Sequence, residues 1–211
     1  MSLTTMDVVK TLNDNVTLSM YFVVGNVYVS GIGYRMVRDS IYNGGIEVVQ
    51  GDPTQNLAFY NSNADTLTTQ TGTSPANLDE RGLLLHECTH ALIDVINIPT
   101  VTRHMDELAA YIAQHVYLVR SDPGWVVTPN NAPWQTFFQG VFDLIKARKL
   151  DTTAGNNAIM SADDLEPLRV QLAALPGVNY GTFAKDALSG SNGLKDYGIY
   201  ERLARKMASG A

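Results

Sequence analysis

The sequence predicts an α+β protein in which a small mixed or antiparallel sheet packs on two long helices and a helical C-terminal part follows. Short segments rich in Val, Ile, Tyr and Thr lie before residue 70, and Gly, Asn and Asp separate them, a pattern typical of strands and turns. Two long, largely apolar segments between residues 77 and 120 indicate helices, and Pro99 separates them. Apolar residues recur at helical spacing in the C-terminal part.

The N-terminal elements are short. Residues 16–29 are rich in Val, Tyr and Phe, which favours strand, although their spacing also permits a helix. Residues 29–42 show helical spacing, and Gly44 and Gly45 end that helix. We predict further strands at residues 46–49, 57–60 and 66–69.

The segment that begins at residue 77 predicts a helix to about residue 96, capped by Asn77 or Asp79. Thr102 can cap a second helix over residues 103–120. Further helices are predicted at residues 133–149, 161–176 and 199–207. This order suggests a core over residues 1–122 and a helical subdomain over residues 123–211, or one continuous domain.

Composition limits the function classes. With 211 residues and 45% hydrophobic content, the chain can bury a full core. A net charge of −6 and the lack of any run of Lys or Arg argue against nucleic acid as a partner. The single cysteine, Cys88, excludes an internal disulfide and is expected to fill the core.

The sequence predicts neither a membrane span nor a secretory signal. Residues 16–34 are the most apolar stretch, but polar residues and glycines interrupt them. Residues 1–15 lack a basic n-region and contain Asp and Asn. We therefore expect a cytoplasmic location, or export without a cleavable signal peptide.

The sequence His86-Glu87-Cys88-Thr89-His90 is an H-E-x-x-H motif inside an apolar helical segment. Imidazoles four residues apart project from one helical face and can bind a divalent metal, usually zinc. Leucines before the motif and apolar residues after it predict a buried helix, where unpaired polar groups are costly. Glu87 can handle the proton of a metal-activated water. The motif therefore predicts a metal-dependent hydrolase, and a peptidase above all.

A catalytic zinc site usually takes three protein ligands and a water molecule. Glu107 lies 17 residues after His90, on the next helix, which a short turn can return against the motif helix. Asp106, His104 and His115 are the alternatives on that helix. The two acids also suit a purely structural role, because the helix dipole favours acids near its start.

With Glu107 as third ligand, residues 46–120 resemble the gluzincin branch of the zincin metallopeptidases, in which a glutamate ligand follows H-E-x-x-H on the next helix. The resemblance implies that His86, His90 and Glu107 hold zinc. It also implies that Glu87 is the general base and that the substrate is a peptide or protein. The order of strands, motif helix and glutamate helix agrees with it.

One position departs from the gluzincin pattern. An acid often stands four residues after the glutamate ligand and supports a histidine, but Tyr111 occupies that position here. Another orienting group is therefore needed, and Asp94 is one candidate, with a role as a surface or capping acid as the alternative. Tyr111 and His104 lie within about 60° of Glu107 on the helical wheel. Either can donate a hydrogen bond to the transition state, and packing is the alternative for Tyr111.

Substrate recognition in such enzymes commonly uses an edge strand, and we predict residues 65–70 for that role. Aromatic residues that could line a cleft, or fill the core, are Trp125, Trp134 and Tyr180. Two other functions stay open. One is a catalytically silent zincin-like protein that binds metal or peptide, and the other is a toxin-like effector protease with one specific protein substrate.

Overall fold

The computed structural model describes residues 4–51, 58–70, 77–98, 100–127 and 132–176. These residues form an α+β fold with seven α-helices and two small sheets. The helices are α1 (Thr5–Leu12), α2 (Asn15–Leu18), α3 (Gly31–Tyr42), α4 (Leu78–Val95), α5 (Arg103–Ser121), α6 (Ala132–Ala147) and α7 (Ala162–Ala173). The strands are β1 (Tyr21–Val24), β2 (Val27–Ser30), β3 (Glu47–Gly51), β4 (Ala58–Asn61), β5 (Thr66–Gln70) and β6 (Ala158–Met160).

The first sheet has the strand order β2-β1-β6. The antiparallel pair β1 and β2 forms a tight hairpin in which Gly25 has a φ of +59°, a conformation that suits glycine. Strand β6 runs parallel to β1, with Phe22 opposite Ala158. Residues on both sides of position 122 thus share one sheet, while the division into two parts at that position stays a prediction.

The second sheet has the order β3-β5-β4, with β3 parallel and β4 antiparallel to β5. The prediction that residues 65–70 form an edge strand is therefore wrong. Strand β5 is central, so its backbone groups pair on both sides, and β4 and β3 form the edges. Along β4, Tyr60 is buried while Phe59 is exposed, as expected for a strand with one face on the core.

Helices α4 and α5 form the centre of the molecule and begin at the predicted caps. The Asn77 side chain accepts from the Asp79 amide at 2.9 Å, and the Thr102 hydroxyl accepts from the Met105 amide at 3.3 Å. The core residues on α4 include Cys88, which confirms its predicted role as core filler.

The two long helices run antiparallel, because early residues of α4 meet late residues of α5. Gly82 lies against Leu118, and the His86 ring packs on the Tyr111 ring. Further along α4, His90 contacts Asp106 near the start of α5. A Cβ atom on Gly82 would lie 2.8 Å from Leu118 Cδ2, so the missing side chain allows the close approach.

The C-terminal helices α6 and α7 pack on α5. The Arg120 guanidinium fixes the following chain by donating to the carbonyl oxygens of Leu150 at 2.7 Å and Thr152 at 2.8 Å. Within the described ranges, no helix is long and apolar enough to cross a membrane. Residues 177–211 lie outside the described residues, and so do the helix predicted at residues 199–207 and Tyr180.

The sequence did not indicate α1, α2 or β6. For residues 16–29 the sequence favours strand and also permits a helix, and the structure contains both, namely the end of α2 and the β1–β2 hairpin. Predictions at residues 29–42, 46–49, 57–60 and 66–69 match α3, β3, β4 and β5 within a residue or two. The motif helix and the glutamate helix match α4 and α5.

Candidate metal centre

Three side chains from α4 and α5 converge on one point. His86 Nε2 and His90 Nε2 lie 3.2 Å apart. Glu107 Oε2 lies 3.6 Å from the first of these atoms and 3.9 Å from the second. In the part of the chain that the structure describes, this trio is the cluster of His, Cys, Asp and Glu side chains that could hold a metal ion. The predicted group of ligands is therefore brought together.

The spacing of these atoms fits a small divalent ion. Zinc bonds of about 2.0–2.2 Å at tetrahedral angles separate neighbouring ligand atoms by about 3.3–3.6 Å. The distances between the three ligand atoms, 3.2 Å, 3.6 Å and 3.9 Å, bracket that range. Two imidazoles and a carboxylate form a donor set that zinc and other first-row divalent ions accept. Three protein ligands are also the number typical of catalytic zinc sites.

Asp106 orients His90. His90 Nδ1 donates to Asp106 Oδ1 at 2.6 Å, which leaves Nε2 as the metal-facing nitrogen. The sequence leaves Asp106 open as the third ligand. Its carboxylate contacts His90 Nδ1, whereas Glu107 lies near His90 Nε2, so Asp106 is outside the ligand cluster. Burial by itself would lower the pKa of His90, but the carboxylates of Asp106, Glu107 and Glu87 outweigh it and raise that pKa to about 10.

His86 is held by packing. The Tyr111 ring stands edge-on to it, with ring centroids 4.4 Å apart. His86 Nδ1 is buried and has no hydrogen-bond partner among the described residues. The two histidines thus differ, since a carboxylate supports one and an aromatic ring the other. Gluzincins often have an acid four residues after the glutamate ligand. In this chain Tyr111 stands at that position, and its ring lies beside His86.

An aromatic cluster continues behind Tyr111. Its ring centroid lies 5.1 Å from Phe137 and 6.2 Å from Trp134, both on α6. Helix α6 therefore supports the site from the side of the C-terminal part. The role of Tyr111 as a hydrogen-bond donor to a transition state stays a prediction, and so does the placing of Trp134 along a cleft.

The other two histidines lie on α5 and are buried. His115 Nδ1 donates to the carbonyl oxygen of Tyr111 at 2.8 Å, and the Trp125 and Phe138 rings pack on it. Burial lowers the pKa of His115 to about 4, so the ring is neutral at physiological pH. His104 lies in the first turn of α5, outside the cluster of three ligands, and its predicted role in catalysis is untested.

The carboxylate of Glu87 faces β4. Glu87 Oε2 accepts a hydrogen bond from the Tyr60 backbone amide at 2.8 Å. Burial raises the pKa of Glu87, while the two motif histidines and the Tyr60 amide act in the opposite direction. A carboxyl group with a raised pKa beside a metal-ligand cluster is suited to proton transfer.

Sequence reasoning missed Tyr60, which contacts a buried acid near the end of the motif helix. The Tyr60 hydroxyl donates to Asp94 Oδ2 at 2.7 Å. For Asp94 the sequence leaves open a histidine-orienting role and a role as a surface or capping acid; the residue is buried, and Asp106 orients His90. A backbone amide leaves no mark in a sequence, so only the buried acid on α4 could have pointed to a polar partner there.

Comparisons with models of protein families, with curated proteins and with solved structures found no match for this chain. The resemblance to gluzincins therefore depends on H-E-x-x-H, Glu107 and the order of the elements. The α+β fold and the cluster of His86, His90 and Glu107 are observed in the structure and do not depend on that resemblance.

Proposed function

We propose that the protein is a zinc-dependent peptide-bond hydrolase with His86, His90 and Glu107 as metal ligands and Glu87 as general base. One observation carries the proposal. The three ligand atoms lie 3.2–3.9 Å from one another, and the candidate base, Glu87, directly follows His86 on the same helix. A purely structural zinc site would usually supply a fourth protein ligand.

A bound zinc ion would polarise the substrate carbonyl and lower the pKa of a water ligand to about 7. With the metal bound, Glu87 would accept a proton from that water as the water oxygen adds to the peptide carbonyl carbon, and would deliver the proton to the amine nitrogen as the C–N bond breaks. Its buried position favours this exchange, because burial raises the pKa of the carboxyl above its ordinary value. Asp106 keeps His90 Nε2 directed at the metal position.

Stabilisation of the tetrahedral intermediate needs a hydrogen-bond donor. We propose Tyr111 and His104 for this role, because both lie on α5 within about one turn of Glu107. The contact between the Tyr111 and His86 rings supports the first of them. A peptide or protein is the substrate class that this chemistry suits.

The test combines metal analysis with a peptide-cleavage assay. The purified protein should bind one equivalent of zinc and cleave members of a proteome-derived peptide library. Glu87→Gln should keep the metal and lose hydrolysis, since the amide cannot accept the proton. Glu47→Gln is the matched control, because Glu47 is exposed on β3, and it should retain activity.

The outcomes separate the remaining functions. Hydrolysis by Glu87→Gln at the wild-type rate would remove Glu87 as the base. Zinc binding without cleavage of any peptide would support the silent metal-binding or peptide-binding protein. Cleavage of one folded protein but no peptide in the library would support the effector protease with a single substrate.

A further inference from the structure

Tyr60 bridges two carboxylates on the motif helix. Its backbone amide donates to Glu87 Oε2 at 2.8 Å, and its hydroxyl donates to Asp94 Oδ2 at 2.7 Å. All three residues are buried, with exposed fractions of 6% for Tyr60, 6% for Glu87 and 1% for Asp94. The two bonds are therefore shielded from competition with bulk water.

Helical geometry explains how one residue reaches both acids. Asp94 follows Glu87 by seven residues, or about two turns and about 10 Å, on the same face of α4. The side chain of Tyr60 extends along this face from its own amide. Among the described strands, β4 has a neighbour on one side only, and the bond from the Tyr60 amide to Glu87 attaches it to α4.

We propose that Tyr60 and Asp94 are positioning residues for Glu87. Asp94 holds the Tyr60 ring, and the Tyr60 amide then holds one carboxylate oxygen of Glu87, so that the other oxygen can receive the proton. This inference rests on the proposed function, because it assigns a purpose to the fixed carboxylate of the base.

The chemistry of the pair favours positioning over simple packing. An apolar pair would fill the same space without the cost of burying a carboxylate. The hydrogen bond from a phenol to a carboxylate has a preferred direction and length, which packing lacks. Burial raises the pKa of Tyr60, so its hydroxyl stays protonated and remains the donor.

Substitution of Tyr60 tests the proposal directly. Tyr60→Phe keeps the backbone amide and removes the bond to Asp94. We expect kcat to fall about tenfold, because a loosened base is misplaced, with KM and zinc binding unchanged. Asp94→Leu should give the same loss, while Asp94→Asn should keep most activity, since its amide oxygen still accepts from the phenol.

The double variant and a matched control separate positioning from general destabilisation. Tyr60→Phe combined with Asp94→Leu should be no slower than either single variant, and it remains foldable because no acid is left unpaired. Tyr34→Phe is the control, since the buried Tyr34 hydroxyl lies 2.8 Å from the Thr89 hydroxyl on the same helix. We expect it to lower stability without a specific loss of kcat.

A second measurement does not depend on activity. Amide hydrogen exchange of residue 60 in the zinc-loaded protein should speed up about tenfold in Tyr60→Phe and in Asp94→Leu, while the amides of β3 keep their protection. An inactive wild-type protein that shows this change would refute the proposed hydrolase but keep the link between the three residues. Unchanged exchange at residue 60, or wild-type kcat in Tyr60→Phe, would overturn the positioning proposal.

Discussion

His90 and Asp106 form the shortest contact of the candidate metal centre, with 2.6 Å between His90 Nδ1 and Asp106 Oδ1. The two residues come from different helices, α4 and α5. The bond therefore ties the helix that carries both histidines to the helix that carries Glu107. Once His90 has lost its Nε2 proton, the bond also favours the tautomer in which Nε2 carries the lone pair for a metal.

Removal of this support should weaken metal binding. For Asp106→Ala we expect zinc affinity to fall about 10-fold to 100-fold, as is typical when a ligand loses its orienting partner. Competition with a chelator measures the effect. Asp163→Ala is the control, because Asp163 is an exposed acid on α7, and it should leave affinity unchanged. Equal affinity in both variants would show that Asp106 does not orient His90.

Metal binding should depend on pH. In the metal-free protein the raised pKa of His90, about 10, keeps the ring protonated at neutral pH, so each metal ion must displace a proton. Affinity should therefore rise about tenfold per pH unit between about pH 7 and about pH 9. Calorimetry in buffers of different ionisation enthalpy should detect the released proton, and its absence would contradict the prediction.

The raised pKa of His90 also affects the stability of the metal-free protein, but this effect decreases as the pH rises. A histidine with a raised folded-state pKa stabilises the fold fully below its unfolded pKa of about 6.5, and the contribution is lost as pH rises towards about 10. We therefore expect this contribution to the free energy of unfolding of the metal-free protein to decrease from neutral to alkaline pH. Urea titrations with and without zinc should diverge over this interval.

Gly82 should be sensitive to substitution. Gly82→Ala places a Cβ atom 2.8 Å from Leu118 Cδ2, so the side chain or the helices must shift. We expect a loss of about 1–3 kcal/mol in the free energy of unfolding and weaker metal binding, because the ligands lie on both helices. Leu118→Val in the same chain should restore part of both. If Gly82→Ala kept full stability and full zinc affinity, the two helices would be able to accommodate the added Cβ atom without cost.

The ligand cluster could be predicted because its determinants are local. Residues four apart on a helix share a face, and a short turn leaves few places for Glu107 on the returning helix. The caps Asn77 and Thr102 are equally local signals. The support of His86 was harder to predict, since Tyr111 acts through the packing of its ring.

Contacts between segments that are distant in the sequence were not predicted. The sequence predicts an edge strand at residues 65–70, directly before the motif helix, yet chain order does not fix sheet order. Strand β4 lies between β3 and β5 in the sequence, but in the sheet β3 pairs directly with β5. The pairing of β6 with β1 joins residues from opposite ends of the described chain. The contact between Glu87 and Tyr60 involves a backbone amide, which every residue except proline offers.

The parallel pairing of β6 with β1 also bears on synthesis. A nascent chain emerges from the ribosome with β1 and β2 first, and Met160 follows only after both metal-binding helices have been made. Until β6 has been made, the edge of β1 that pairs with β6 is unpaired, and other chains could pair with it. We expect a chain whose translation pauses before Met160 to be prone to aggregation. Pairing of β6 with β1 would then cover the exposed strand edge late in synthesis.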